Sequence, residues 1–316
     1  ISTHSFLFTV EHHQLPNCMM LLHPQGVSLR NDRANGPIRA FNRLEEPDIR
    51  ECIMSADVNY EVSDGVATLT LNRPERMNTI SGPMLDELTR LLVKAGEDRE
   101  VRVIVLTGTG RAFCAGLDLG QAQKGEGIGS SSATFNATID LRNTPPTVLH
   151  ALDKPVIAAL NGSAAGYGMD LALGCDIRVM ASDAKLAAAF VKRGVLPESG
   201  GTWFLPRMLG WAKAAEIIFT GRTLSADDCL KEGLVNEIVP GEQVASRARE
   251  LALEIANNAP LAVQGAKRLM RMGMDETFDT HVQHVYLQLL PLFQSSDFKE
   301  GIASFMEKRP AKFTGS

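Results

Sequence analysis

Two acidic residues sit where acids are unusual. Asp170 interrupts the apolar run Met169, Leu171, Ala172 and Leu173. Glu198 follows Leu196-Pro197 and precedes Ser199-Gly200-Gly201 and the apolar residues Trp203, Phe204 and Leu205. A carboxyl group in apolar surroundings has a raised pKa and suits proton transfer. A plainer account serves each residue about as well. Glu198 would complement the positive end of a helix, and Asp170 would be a buried polar anchor bonded to backbone.

Two glycine-bearing turns offer a different kind of chemistry. The first, Arg111-Ala112-Phe113-Cys114-Ala115-Gly116-Leu117-Asp118-Leu119, follows a strand-like run. Ala115 and Gly116 let a ligand approach the backbone, and the Leu117 N–H is then free to face it. The second, Asn161-Gly162-Ser163-Ala164-Ala165-Gly166-Tyr167-Gly168-Met169-Asp170, leads into a helix start. Unpaired N–H groups at a helix N-terminus carry partial positive charge and stabilise a developing oxyanion. Gly166 and Gly168 keep side chains away from the approach around Tyr167. The alternatives are a tight loop for the first turn and close helix–sheet packing for the second.

Other chemistries fit poorly. Val103–Gly110 (VIVLTGTG) looks like the opening of a dinucleotide fold, but the third glycine of that fingerprint would fall at Phe113. No phosphate-binding G-x-x-x-x-G-K-[ST] motif occurs. His281 and His284 are helical neighbours without the glutamate or third ligand of a metal site, so no metal is expected. The five cysteines, Cys18, Cys52, Cys114, Cys175 and Cys229, have neither disulfide nor zinc spacing and read as reduced thiols, implying a cytoplasmic location. A net charge of -5 gives no reason to expect nucleic-acid binding, and no apolar run is long enough to span a membrane.

The elements that must position these residues alternate. Tyr60 and Val62, then Val66–Leu71, read as two strands around the turn Ser63-Asp64-Gly65. Ser81 caps a helix carrying Met84, Leu88, Leu91, Leu92 and Ala95, which Gly96 can end. Val101–Thr107, Val156–Leu160 and Ile177–Met180 read as buried strands, so the pattern is α/β with parallel pairing. After about residue 205 it turns almost entirely helical. A capping box at Ser225–Asp228 opens a short helix closed by Gly233. Amphipathic stretches follow at Glu242–Asn257, Pro260–Met272, Asp275–Gln294 and Asp297–Lys308.

Residues 1–53 lack this patterning and read as a poorly ordered extension outside the domain of 54–316, with Met54 a candidate initiator. Gly125–Ser132 (GEGIGSSS) reads as a flexible loop, within an irregular stretch 120–140 that could shape a pocket.

The two turns, in this order and spacing, resemble the enoyl-CoA hydratase/isomerase (crotonase) superfamily. The match runs from about residue 58 to the C-terminus. It includes Asn72-Arg73-Pro74-Glu75 with Asn78, the A-G-x-D-L turn at 115–119, and Lys154-Pro155 through Asn161-Gly162. It continues through Cys175-Asp176-Ile177-Arg178, Gly200-Gly201-Thr202, Leu224-Ser225-Ala226, Gly233-Leu234-Val235 and the tail Glu300-Gly301, Phe305 and Glu307-Lys308-Arg309.

The resemblance implies an α/β spiral core of ββα turns over 54–250 and a helical trimerisation region over 251–316, with trimers pairing into hexamers. It implies an acyl-CoA thioester substrate, with coenzyme A part of that substrate and no separate cofactor. The oxyanion hole maps onto the N–H groups of Leu117 and Tyr167, with Ala115, Gly116, Asp118 and Gly166 as substrate-binding residues around it. Arg76, Met77 and Asn78 would lie near the nucleotide, and Phe305 and Lys308 would contact coenzyme A on a neighbouring subunit. The hydratase pattern has one glutamate matching Asp170 and another matching Phe190, which cannot transfer protons. Pro197-Glu198-x-Gly resembles members that shift double bonds instead. The leading expectation is therefore isomerisation of 3-enoyl-CoA to 2-enoyl-CoA, with Glu198 moving the proton and Asp170 assisting. Hydration of 2-enoyl-CoA, another reaction such as thioester hydrolysis or C–C cleavage, and a non-catalytic acyl-CoA scaffold are the alternatives.

Overall fold

The computed structural model describes residues 57–120 and 144–316. The expectations for residues 1–53, for the glycine–serine loop and nearly all of the 120–140 stretch, and for Cys18 and Cys52 lie outside the described residues.

The described residues open with a hairpin of β1 (Val58–Ser63) and β2 (Val66–Leu71). Asp64 and Gly65 take φ values of 51° and 75°, the left-handed pair that a two-residue turn needs to follow the strand twist. Helix α1 (Gly82–Glu97) is capped by the Ser81 hydroxyl, which accepts from Met84 N–H, and buries Met84, Leu88, Leu91, Leu92 and Ala95. It does not stop at Gly96. That glycine serves packing, since a side chain there would begin 2.6 Å from Leu152 Cδ2. The end is held instead by Lys154, whose buried ammonium donates to Ala95 C=O at 2.7 Å.

The core then repeats one unit. Strand β3 (Val103–Gly108) is followed by β4 (Ala112–Cys114) and helix α2 (Pro145–Ala151). Next come β5 (Val156–Leu160), β6 (Ser163–Ala165) and α3 (Tyr167–Leu173). A third round is β7 (Ile177–Ala181), β8 (Lys185–Ala187) and α4 (Gly201–Leu209). In each round the first strand joins one sheet and the second joins another. With two later strands, β9 (Thr223–Ser225) and β10 (Glu237–Val239), the six-stranded sheet runs β1-β2-β3-β5-β7-β10, and the four-stranded sheet runs β4-β6-β8-β9. All pairings from β2 to β10, and from β4 to β8, are parallel. Successive units therefore stack as a spiral, and each crossover brings a strand end to the same side.

Helices α5 (Trp211–Thr220) and α6 (Ala226–Lys231) follow, with the capping box at Ser225 formed as expected. Two strands of three residues, β9 (Thr223–Ser225) and β10 (Glu237–Val239), interrupt this helical stretch. They are too short for periodicity to reveal and exist by pairing with β8 and β7. Helix α7 (Val244–Ala256) lays Val244, Ala248, Ala252 and Ala256 on the large sheet. Helices α8 (Pro260–Met272), α9 (Phe278–Gln294) and α10 (Ser296–Glu307) leave large apolar side chains at the surface, among them Tyr286, Leu287, Leu290 and Phe305. No helix among the described residues is long and apolar enough to cross a membrane.

Several motif residues turn out to be staples of this fold. Asn161 accepts from Gly108 N–H and donates to Gly110 C=O, pinning the β3–β4 turn. Arg178 is buried and donates to Leu234 and Cys175 carbonyls, each at 2.6 Å. Asp176 accepts from Val156 N–H and pairs with Lys267, each at 2.7 Å.

Candidate active site

The first turn is built by an isolated parallel bridge between Ile80 and Leu117. Ile80 N–H donates to Gly116 C=O at 2.8 Å, and Asp118 N–H donates to Ile80 C=O at 3.0 Å. The pleat then sends the intervening Leu117 N–H to the opposite side, where it meets no acceptor among the described residues. Ala115 N–H adds a third bond, to Met77 C=O at 3.0 Å.

Asn78 holds this prop in place. It is fully buried with φ 55°, accepts from Arg73 N–H at 2.8 Å, and donates to Thr109 and Ala112 carbonyls. Its side chain is thus spent on the turn. Asp118 is buried and receives Arg73 at 3.1 Å and Arg76 at 3.4 Å. The Arg76 side chain is 57% exposed against 11% for Arg73, so Arg76 presents its charge to the surface. Met77 is exposed beside it.

The second turn frees a donor by another route. Tyr167 is the first residue of α3, so its N–H has no intrahelical partner. Gly166 reaches that helix with φ 53° and ψ -123°, the mirror image of extended backbone, and only glycine adopts it readily. Gly168 is required for contact, because a side chain there would collide with the Cys114 carbonyl. The close-packing account therefore holds for Gly168, and that packing is what sets α3 against the first turn. The two turns meet: a side chain on Gly116 (φ 103°) would begin 3.0 Å from Ala165 O and 3.8 Å from Tyr167 N.

Asp170 backs the loop that carries Glu198. Asp170, in the first turn of α3, is fully buried, and its Oδ2 accepts from Ser199 N–H at 3.2 Å. Burial pushes its carboxyl up to about 7, against the pull of backbone N–H groups from residues 201 and 199. Glu198 lies at the surface just before α4, and partial burial of its carboxyl raises its pKa as well. Phe190 is buried, with a ring carbon 3.9 Å from where a Gly166 side chain would begin, so an apolar ring flanks the second turn. Cys114 lies behind the turns, and burial pushes its thiol up to about 12, an inert packing group.

The structure thus brings Ala115, Gly116, Leu117, Asp118, Gly166, Tyr167, Asp170, Glu198 and the 76–78 segment into one neighbourhood. Phe305 and Lys308 belong to α10 and its left-handed cap, which packs on α9 rather than on the turns. Sequence reasoning missed the role of Ser199, the pairing of Arg73 with Asp118 and the Ile80 bridge; Arg73 and Asp118 each carried a signal, as parts of the Asn72–Glu75 motif and the A-G-x-D-L turn. It also missed the acid beside the two histidines. His281 and His284 each place Nδ1 2.6 Å from Glu276, which precedes their helix. Among the described residues no cluster of three or more His, Cys, Asp or Glu could hold a metal ion.

Comparison with known proteins agrees with this arrangement. The profile of the family described as Enoyl-CoA hydratase/isomerase matches residues 61–316. A probable enoyl-CoA hydratase of Rhodobacter capsulatus is 38% identical over 261 residues, 82% of this chain and 98% of that protein. The 1,2-epoxyphenylacetyl-CoA isomerase of Escherichia coli is also 38% identical, over 80% of this chain and 97% of its own length. A crystal structure of enoyl-CoA hydratase from Bacillus anthracis superposes with a TM-score of 0.75 at 33% identity, covering 82% of this chain and all of that one. The spiral α/β core, the helical C-terminal region and these matches make the chain a member of the enoyl-CoA hydratase/isomerase (crotonase) family, an enzyme of the lyase or isomerase class.

Proposed function

We propose that this enzyme moves the double bond of a 3-enoyl-CoA to the 2-position. The observation that carries this reading is the asymmetry around the second turn. Near it stand one accessible carboxyl with a raised pKa, Glu198, and the apolar ring of Phe190. Double-bond migration needs one group that takes a proton and returns it, whereas hydration needs two groups to direct water and deliver a proton.

The thioester carbonyl docks on Leu117 and Tyr167 N–H. Glu198 removes a proton from C2, the enolate charge rests on the two donors, and the proton returns at C4. Coenzyme A enters as part of the substrate, with no separate cofactor. Arg76 and Met77 lie at the surface to meet its nucleotide, and Asn78 shapes the turn beneath. The exposed apolar faces of α9 and α10 suit assembly into a trimer or a dimer of trimers, where Phe305 and Lys308 would reach a neighbour's coenzyme A.

Hydration of 2-enoyl-CoA is the second reading, favoured by the proximity of Asp170 to the Glu198 loop and by relatives named hydratases. Pure protein incubated separately with 3-enoyl- and 2-enoyl-CoA, with products followed by mass and chromatography, decides between them. An isomer of unchanged mass from 3-enoyl-CoA is the expected result. Gain of water by 2-enoyl-CoA without isomerisation would replace this reading with the hydratase one.

A further inference from the structure

Beneath the two turns lies a buried polar cluster that proton transfer by Glu198 does not use. Three side-chain atoms there are buried without a hydrogen bond: Tyr167 Oη, Ser199 Oγ and Asp170 Oδ1. They are neighbours. The Ser199 hydroxyl acts on the Tyr167 phenol, Asp170 acts on it through its charge, and Asp170 Oδ2 takes Ser199 N–H at 3.2 Å. An unpaired buried polar atom is costly. Linking them as one chain, Tyr167 O–H to Ser199 Oγ and Ser199 O–H to Asp170 Oδ1, would satisfy all three.

The same carboxyl is wedged against the start of α4. A side chain at Gly201 would collide with Asp170 Oδ1. The residue at the N-cap, Gly200, has φ 107° and supplies no capping side chain. The N–H groups at that helix start therefore face a carboxyl group borrowed from α3. Asp170 itself is tied to the second turn, since its N–H donates to Gly166 C=O at 3.1 Å.

We propose that Asp170 is a positioning residue: its carboxyl clamps the Ser199–Gly201 backbone to α3, and so fixes Glu198 relative to the Tyr167 N–H. One side chain thereby couples the group that moves the proton to a donor that holds the charge. This rests on the reading of Glu198 as the base. Full burial of Asp170 against the exposure of Glu198 fits a brace better than a second proton carrier.

The test is steady-state turnover of 3-enoyl-CoA by Asp170→Asn, Asp170→Ala, Ser199→Ala and Glu198→Gln, with melting temperatures in parallel. An asparagine oxygen still accepts Ser199 N–H, so Asp170→Asn should keep kcat within about five-fold of the parent, the equivalent of one weakened hydrogen bond. Asp170→Ala frees the loop, and kcat should fall about 100-fold with KM changed less than about three-fold, as for an ångström-scale misplacement. Ser199→Ala keeps the backbone donor and should cost about five-fold or less. If Asp170→Asn is as impaired as Asp170→Ala, or Asp170→Ala turns over like the parent, the brace is refuted. Should the alanine variant fail to fold, loss of kcat in folded Asp170→Asn still refutes it. Glu198→Gln separates the two claims: activity retained there removes the base assignment, whereas an inactive Glu198→Gln beside an inactive Asp170→Asn removes only the brace.

Discussion

The two turns reach the same end, a backbone N–H without an acceptor, by unlike means. At Leu117 the donor is freed by strand register, with three backbone bonds from residues 77–80 pinning its neighbours. At Tyr167 it is freed by a helix beginning, and the turn is held by contact with Cys114 and by Asp170. The first turn is therefore sensitive to whatever supports the 77–80 segment and insensitive to its own side chain. The second is sensitive to its own residues. On the proposed reading, proton transfer falls to Glu198 on the loop after Pro197.

The largest effect should come from that loop. Glu198→Gln should lower kcat by about 10²–10⁴-fold with 3-enoyl-CoA while acyl-CoA still binds, read by initial rates and calorimetry. The parent enzyme should also lose kcat/KM as pH falls. The base works ionised, and burial raises the Glu198 pKa above its ordinary 4.5, so the acid limb should lie above that value and vanish in Glu198→Gln.

Next is a direct break of the second turn. Proline is tolerated at the first helical position, and the mirror-extended Gly166 can precede it. Tyr167→Pro and Tyr167→Ala both lose the ring, but only the proline loses the donor. The proline variant should turn over about 10²–10³-fold more slowly than the alanine variant. Equal rates would mean that this N–H holds no charge.

The first turn should fail through its prop. Asn78→Ala removes the amide that satisfies Thr109 and Ala112 carbonyls and places alanine at φ 55°. Thermal unfolding should show a loss of about 2–3 kcal/mol, with a smaller fall in kcat than for Tyr167→Pro.

The smallest effect on turnover is that of pH acting through Asp170, which is read in stability instead. The folded Asp170 carboxyl titrates near 7 rather than 3.8. Its protonated form thus favours folding, a contribution fully present below pH 3.8 and lost as pH rises through about 7. In Asp170→Asn the melting temperature should fall less across that window than in the parent.

What was legible in the sequence divides along the same line as the two turns. The β1–β2 hairpin, the Ser81 cap and the capping box at Ser225 follow from residues a few positions apart, and all three form. Gly166 and Gly168 announced a tight approach because glycine has few other uses there. The supports were not legible. The Ile80 bridge, the Asn78 amide and the Ser199–Asp170 clamp join residues some thirty positions apart, give or take a few. Strands β4, β6, β8 and β9 have three residues each, too few for alternation, and exist only through their partners. Gly96 read as a helix stop because composition shows a missing side chain without showing that Leu152 fills its place.

The central claim is that two backbone donors pull on one thioester oxygen. The carbonyl stretch of an isotopically labelled, unreactive saturated acyl-CoA, recorded free and bound by difference infrared spectroscopy, reports that pull directly. The parent and Tyr167→Ala should move the band to lower frequency on binding, and Tyr167→Pro should move it distinctly less. A band that stays at its free frequency in the parent, or moves equally in the alanine and proline variants, would contradict the account.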